Sequence, residues 1–321
     1  PICARLQQQP ARGVTSHPAP RTSSTPDGVG IAKAPGKNRG VKQYVLSVQC
    51  ADGPGIVHAF SAALLEAQGN IIDNQQYGDP ITSQFCMRTT FTSPIDDTEH
   101  IRRLMQPAAD RFAADVRLRD ERSHEHLLVM VSQYDHCLLD LLYRMHNGEL
   151  AVEIPVVVSN HETCRSLCER YGVPFLHLPV TASSKEAQER RVLELVEEHH
   201  IDFIVLARYM QILSPEFVSR YPNRIINIHH SFLPSFKGAR PYQQAHTRGV
   251  KLIGATAHYV TAALDEGPII EQDVERVDHA MSVEALTAIG RDVESVVLAR
   301  AVKWFVEHRI LLNGDKTVVF S

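Results

Sequence analysis

The chain of 321 residues has no apolar run approaching the roughly 20 residues that cross a bilayer. It also has no excess of positive charge: 33 Lys and Arg stand against 37 Asp and Glu, a net charge of −4. A transmembrane span is therefore not expected, nor is binding driven by neutralising phosphates, whether on nucleic acid or an anionic membrane surface. A disulfide or zinc framework is lacking too. The six cysteines (Cys3, Cys50, Cys86, Cys137, Cys164, Cys168) are scattered, none forms C-x-x-C, and Cys164 and Cys168 have no ligand pair following at zinc spacing. Reduced thiols are expected. The histidine spacings H-x-x-x-H and H-E-x-x-H are also missing. His229 and His230 are adjacent, and neighbours on a strand point to opposite faces, so a shared metal is disfavoured and none is expected.

Apolar periodicity and acidic residues are both scarce in residues 1–40. This stretch holds six of the 18 prolines, six of the 33 basic residues and a single acid, Asp27, with Ser and Thr clustered in VTSHPAPRTSSTP. Such a segment cannot bury enough surface to offset its chain entropy. An Arg- and Ser-rich, acid-poor composition resembles an organellar transit peptide, with a plain disordered tail as the alternative. Mitochondrial targeting is the expectation, and a plastid or the cytoplasm the alternatives. The remaining body carries 27 basic and 36 acidic residues and is acidic.

Residues 41–121 read as strand, helix, two strands, helix, strand. QYVLSVQC is a β-branched strand, ADGPGIV a turn, and IVHAFSAALLEAQG a helix that Gly69 would cap. NIIDNQQYGD and SQFCMRTTFT follow as strands. The helix around IRRLMQPAADRF carries Pro107 as an expected kink or break, and DVRLRD closes the unit. The order βαββαβ is that of a ferredoxin-like domain. With DGPGIV (Asp52 to Val57) between the first strand and helix, the segment resembles an ACT domain. That resemblance implies an effector, often an amino acid, at the Asp52, Gly53, Gly55 turn, and homo-oligomerisation through pairing of these domains. A tight turn without a ligand is the alternative for those three residues.

Residues 122–321 alternate strands and helices, with continuously apolar strands such as HLLVMVS, IPVVVSN and DFIVLARY. This predicts an α/β doubly wound, mostly parallel sheet. KLIGATAHYVT and GPIIEQDVERV have no helix between them and predict an antiparallel part. A long helix over about 282–307 and a hairpin around Asn313-Gly314 end the chain. Ligands of open α/β sheets bind beyond the carboxyl ends of the strands, which is where Asn227 and His229 fall. The first strand-to-helix turn, SQYDHCLLD, has no glycine and adds Asp135, which disfavours a phosphate cradle and suits a helix cap.

Asn227 and His229 are two apart on an extended segment and share a face. Acyl transfer without a covalent intermediate needs an oxyanion donor, a proton-managing group and an acid to set its state. Asp265 in ALDEGPII is the candidate acid, Glu266 the second, and a turn residue bonding its own backbone the bland reading. Ser231 lacks the elbow of a serine nucleophile and suits loop orientation. His258 suits a structural hydrogen bond.

INIHHSFLPSFKGARPYQQA, GATAHYV and LDEGPII resemble the folate-dependent formyltransferase family, most closely its deformylase branch. Sister glycinamide ribonucleotide formyltransferases carry Pro in place of His230, Leu-Leu in place of Phe232-Leu233, and the glycine-rich turn missing here. The resemblance implies hydrolysis of 10-formyltetrahydrofolate to tetrahydrofolate and formate, without a cofactor, folate being the substrate. It implies Asn227, His229 and Asp265 as catalytic residues and Met210, Gln211, Leu213 and Val260 as folate-binding. Gln211 and Ala263 depart from residues common in relatives. His230, read as pointing away from Asn227 and His229, would position water or exclude an amine. A glycinamide ribotide formyltransferase and a non-catalytic folate or amino-acid sensor remain the rival readings.

Overall fold

The computed structural model describes residues 40–233 and 241–320, with the side chain of Pro241 excepted. The expected leader, Gly40 apart, lies outside them.

The first sheet is built from β1 (Lys42–Ala51), β2 (Asn70–Asp79), β3 (Gln84–Ser93) and β4 (Asp115–Asp120), with α1 (Ile56–Glu66) and α2 (Thr98–Phe112) as crossovers. Its order is β2-β3-β1-β4, antiparallel throughout, as the ferredoxin-like reading requires. Period-two alternation turns Tyr44, Leu46 and Val48 of β1 toward the helices, where they pack with Phe60, Leu64 and Met105. Two local expectations are corrected. The left-handed residue that ends α1 is Gln68 (φ 52°), not Gly69. Gly69 comes one later and donates to the Leu64 carbonyl at 2.8 Å; a Cβ there would lie 2.8 Å from that oxygen, so close approach explains the glycine. Helix α2 also runs on through Pro107 without a break.

The second sheet has the order β11-β10-β9-β8-β5-β6-β7. It comprises β5 (Glu125–Val131), β6 (Val152–Ser159), β7 (Phe175–His177), β8 (Phe203–Ala207), β9 (Ile225–His229), β10 (Leu252–Tyr259) and β11 (Ile269–Arg276). Strands β5 to β9 are parallel; β10 runs antiparallel to both β9 and β11. Helices α3 (His136–His146) and α8 (Val283–Val306) cover one face, joining Leu138, Leu142, Val297 and Leu298 to Leu127 and Val129. Helices α5 (Lys185–Glu198) and α6 (Pro215–Arg220) cover the other, joining Val192 and Phe217 to Leu128 and Met130. The short helices α4 (Arg165–Arg170) and α7 (Pro241–Arg248) complete it; α7 has no counterpart in the sequence reading. The chain winds from β5 outward to β7, then returns to lay β8 and β9 on the other side. The switch point therefore falls between β5 and β8.

The chain's end returns to the first sheet. The hairpin β12 (Ile310–Asn313) and β13 (Lys316–Val319) brings Leu311, Val318 and Phe320 onto Cys86, on the face away from α1 and α2. Buried Arg88 donates to the Glu307 carbonyl at 3.0 and 3.2 Å, Gln49 donates to the Leu312 carbonyl, and Asn313 donates to Asp79 at 2.6 Å. The two central residues of its turn are Gly314 and Asp315 rather than Asn313 and Gly314. Only Gly314 (φ 62°) of the pair has a positive φ, as in a type II′ turn.

Candidate active site

Strand β9 shows how the site arises. Ile226 and Ile228 point into the core under α8, while Ile225 faces the α5–α6 side. Alternation therefore puts Asn227 and His229 on the Ile225 face, beyond the carboxyl end of the sheet. There they line a cavity of about 240 Å³ together with His230, His258 and Asp265. Met210, Gln211 and Leu213, from the segment after β8, and Val260, just after β10, line the same cavity. All the residues expected to bind folate or catalyse thus converge on one space. The Asp52, Gly53, Gly55 turn stands apart, before α1, where Gly55 (φ 93°) is the helix cap.

Asp265 arrives from the loop between β10 and β11. A Cβ on Gly267 would lie 1.8 Å from the Tyr259 carbonyl, so only glycine lets this loop fold back over the end of β10. Asp265 itself takes a left-handed conformation (φ 57°), which a short polar side chain tolerates. Its Oδ1 then lies 3.3 Å from His229 Nδ1 and 3.7 Å from His258 Nε2. The His229 hydrogen bond holds the Asp265 carboxyl below its usual range, against the opposing effect of burial. A carboxylate only accepts, so His229 Nδ1 carries a proton. His229 Nε2 meets Ser231 Oγ at 2.9 Å, and a hydroxyl there suits both the neutral and charged ring. Glu266, the second candidate acid, is exposed and does not line the cavity.

The orientation of the Asn227 amide follows from its neighbour. His258 Nδ1 lies 2.8 Å from the Tyr259 carbonyl, which can only accept, so Nδ1 carries the proton. Burial lowers the pKa of His258 and keeps the ring neutral, leaving Nε2 as an acceptor. Asn227 Nδ2, 3.2 Å away, therefore donates to it, and its second N–H remains for a ligand oxygen. Losing one such positioning bond, about 1 kcal/mol, should lower kcat of His258→Ala roughly five- to tenfold. KM for the folate should hardly change. Turnover measured at saturating substrate checks this, and an unaltered kcat would remove His258 from the site.

Two expectations are corrected. His230 does not point away: strand pairing ends at His229, alternation ends with it, and the two rings lie 5.0 Å apart in the same cavity. Burial, with Arg208 and His229 nearby, lowers His230 to a pKa of about 4. Asp135 stands at the N-cap of α3 but makes no side-chain capping bond. The turn where a phosphate cradle would sit instead sends His136 Nε2 to within 2.8 Å of Glu294. Arg208, Tyr242 and Glu294 were not singled out in the sequence. Arg208 could have been, since it follows β8 at the same end of the sheet as Asn227. Glu294, inside the apolar pattern of a long helix, gave no such signal.

Comparison with known proteins identifies the class first: residues 125–302 match the family model described as formyl transferase. The chain is 49% identical over 279 residues to the formyltetrahydrofolate deformylase of Bacillus subtilis, covering 86% of this chain and 93% of that one. The crystal structure of a formyltetrahydrofolate deformylase from Burkholderia mallei superposes with a TM-score of 0.84 at 48% identity, covering 87% of this chain and all of that one (100%). A glycinamide ribonucleotide transformylase from Symbiobacterium toebii is more distant, with a TM-score of 0.59 at 31% identity over 62% of this chain and 95% of its own. The chain belongs to the formyl transferase family, in its formyltetrahydrofolate deformylase branch.

Proposed function

We propose that the chain hydrolyses 10-formyltetrahydrofolate to tetrahydrofolate and formate. The observation that carries this reading is the convergence of Asn227, His229 and Asp265 on one cavity, beside a first turn built without a phosphate cradle. Exposed Met210, Ile212 and Leu264 give the mouth an apolar lip suited to a flat ring system. Water attacks the formyl carbon. The free Asn227 N–H and protonated His229 stabilise the oxygen as it gains charge. Asp265 keeps His229 charged and takes a proton from the water; the C–N bond breaks and the folate nitrogen leaves with a proton. No step calls on a cofactor.

The test is formate release from 10-formyltetrahydrofolate without any amine. Release at a rate set by enzyme concentration supports hydrolysis. Formyl transfer only when glycinamide ribonucleotide is supplied would establish the transferase, and binding without turnover the sensor.

The first sheet is read as an ACT domain on its βαββαβ order and the DGPGIV turn. An amino-acid effector at Asp52, Gly53 and Gly55 and homo-oligomerisation through this domain belong to that reading. Exposed Ile71, Ile72 and Tyr77 on the edge strand β2 support the pairing. Mitochondrial localisation rests on leader composition alone.

A further inference from the structure

Beside the cavity lies a second group of buried polar side chains that the hydrolytic steps leave unused. Glu294 of α8 is 1% exposed. Three separate segments meet its carboxylate. Tyr242 of α7 donates its hydroxyl at 2.6 Å, His136 Nε2 lies at 2.8 Å, and Arg208 Nε at 3.3 Å. Burial opposes the charge on Glu294, but His136, Arg208 and Tyr242 together outweigh it and hold the carboxyl below its usual range. His136, Cys137 and Glu294 also bring metal-ligating atoms within 4.8 Å of one another. The Arg208 guanidinium already supplies positive charge there, and burial holds Cys137 as a thiol, so the cluster suits an internal ion pair rather than a cation.

The group is built for close packing. Gly290 lies one helical turn before Glu294, and a Cβ on it would sit 2.1 Å from the Tyr242 hydroxyl. The Tyr242 ring thus occupies space that any side chain at 290 would deny it. Arg208 holds a left-handed conformation (φ 61°), unusual for a long side chain, and lines the catalytic cavity. His230 borders both groups: its ring lies 5.0 Å from that of His229, tilted by 33°, and Arg208 and Glu294 are among the charges that act on it.

Met210 to Leu213 and Val260 to Leu264 line the same cavity, and on the proposed function they are the side offered to the folate. His230 and Arg208 line the same cavity and belong to the polar cluster rather than to those two segments. The cavity is about 240 Å³, at the small end for small-molecule sites. The same fold serves amine transfer in the more distant glycinamide ribonucleotide transformylase.

We propose that the Tyr242–Glu294–Arg208 cluster is the specificity element of this enzyme. Arg208, the member that lines the cavity, is held by Glu294, which Tyr242 also bonds; together they close the side from which an amine would reach the formyl carbon and leave water as the acceptor. This rests on the hydrolytic reading above. Opening the wall admits an amine: its nitrogen bonds to the formyl carbon, the bond from that carbon to the folate nitrogen breaks, and the proton lost by the amine goes to the folate nitrogen. No oxidant or reductant is involved.

The test uses the full chain with 10-formyltetrahydrofolate and glycinamide as the probe amine, with formate and N-formylglycinamide quantified together. Wild type and Tyr242→Phe should give formate alone at every glycinamide concentration. Tyr242→Ala should give N-formylglycinamide at least tenfold above the uncatalysed rate, rising with glycinamide. Gly290→Ala, which dislodges Tyr242 from outside the wall, should do the same. Formate as sole product from a folded Tyr242→Ala or Gly290→Ala would overturn the proposal. So would efficient transfer to glycinamide by wild type, a result that needs no variant to fold. If wild type released no formate in the absence of amine, the hydrolytic reading would fail instead.

Discussion

Replacing Asp265 by asparagine should lower kcat by roughly a thousand- to ten-thousandfold, the scale set by neutralising the carboxylate behind a catalytic histidine elsewhere. The size follows from the geometry. Asp265 Oδ1 faces His229 Nδ1 at 3.3 Å in a largely buried site, so on the proposed mechanism it is the counter-charge for the ring during the reaction. An asparagine oxygen could still accept from Nδ1, but without the negative charge the imidazolium loses its counter-ion and the water its proton acceptor. KM should change little, because the proposed mechanism has Asp265 act on the reacting atoms rather than on the ring system at the mouth. Kinetics at saturating folate decide it: a variant within tenfold of wild type would end the assignment. The pH behaviour has a definite sign. The folded-state pKa of Asp265 is depressed below its ordinary 3.8. Its contribution to stability is full above 3.8 and is lost as pH falls through the lower folded value. Loss of activity in mildly acidic buffer is therefore not a titration of this carboxylate in the free enzyme.

How much of this site could be read from the chain differs from residue to residue. Asn227 and His229 were legible because period-two alternation is a property of any strand, and RIINIH is a short isoleucine-rich run bounded by turn residues. Asp265 was legible as a turn acid, although its delivery depends on the close approach at Gly267, which only coordinates display. His230 was misplaced because alternation fails where pairing stops, and no residue marks the last pair. The Glu294 cluster was invisible. Its members are spread from position 136 to 294 on four segments, and an acid two residues after Asp292 in a long helix looks like a surface residue until its 1% exposure is known. The same limit applied to the fold. Element order followed from periodicity, but the packing of the 310–319 hairpin onto the first sheet is a contact between distant segments, held by Gln49 and Asp79. Propensity also misled at Pro107, where tertiary packing of Ile101, Met105 and Ala108 keeps the helix intact.

Asn227→Ala should cost about a hundred- to thousandfold in kcat, the usual effect of deleting one preorganised oxyanion donor. The free N–H of Asn227 is aimed by its partner rather than by solvent. His258 is neutral, its Nδ1 proton is committed to the Tyr259 carbonyl, and its Nε2 takes one of the two Asn227 hydrogens. Asn227→Asp should be at least as damaging, since a carboxylate has no hydrogen to donate and would repel the developing oxyanion. Binding of tetrahydrofolate should be nearly unchanged in both variants, which separates lost transition-state stabilisation from a collapsed cavity. The relation between Asn227 and His258 gives a sharper check. If His258 acts only by orienting Asn227, the double variant Asn227→Ala, His258→Ala should be no slower than Asn227→Ala alone. Additive losses would mean that His258 works on the reaction by another route, its 3.7 Å approach to Asp265 being the first place to look.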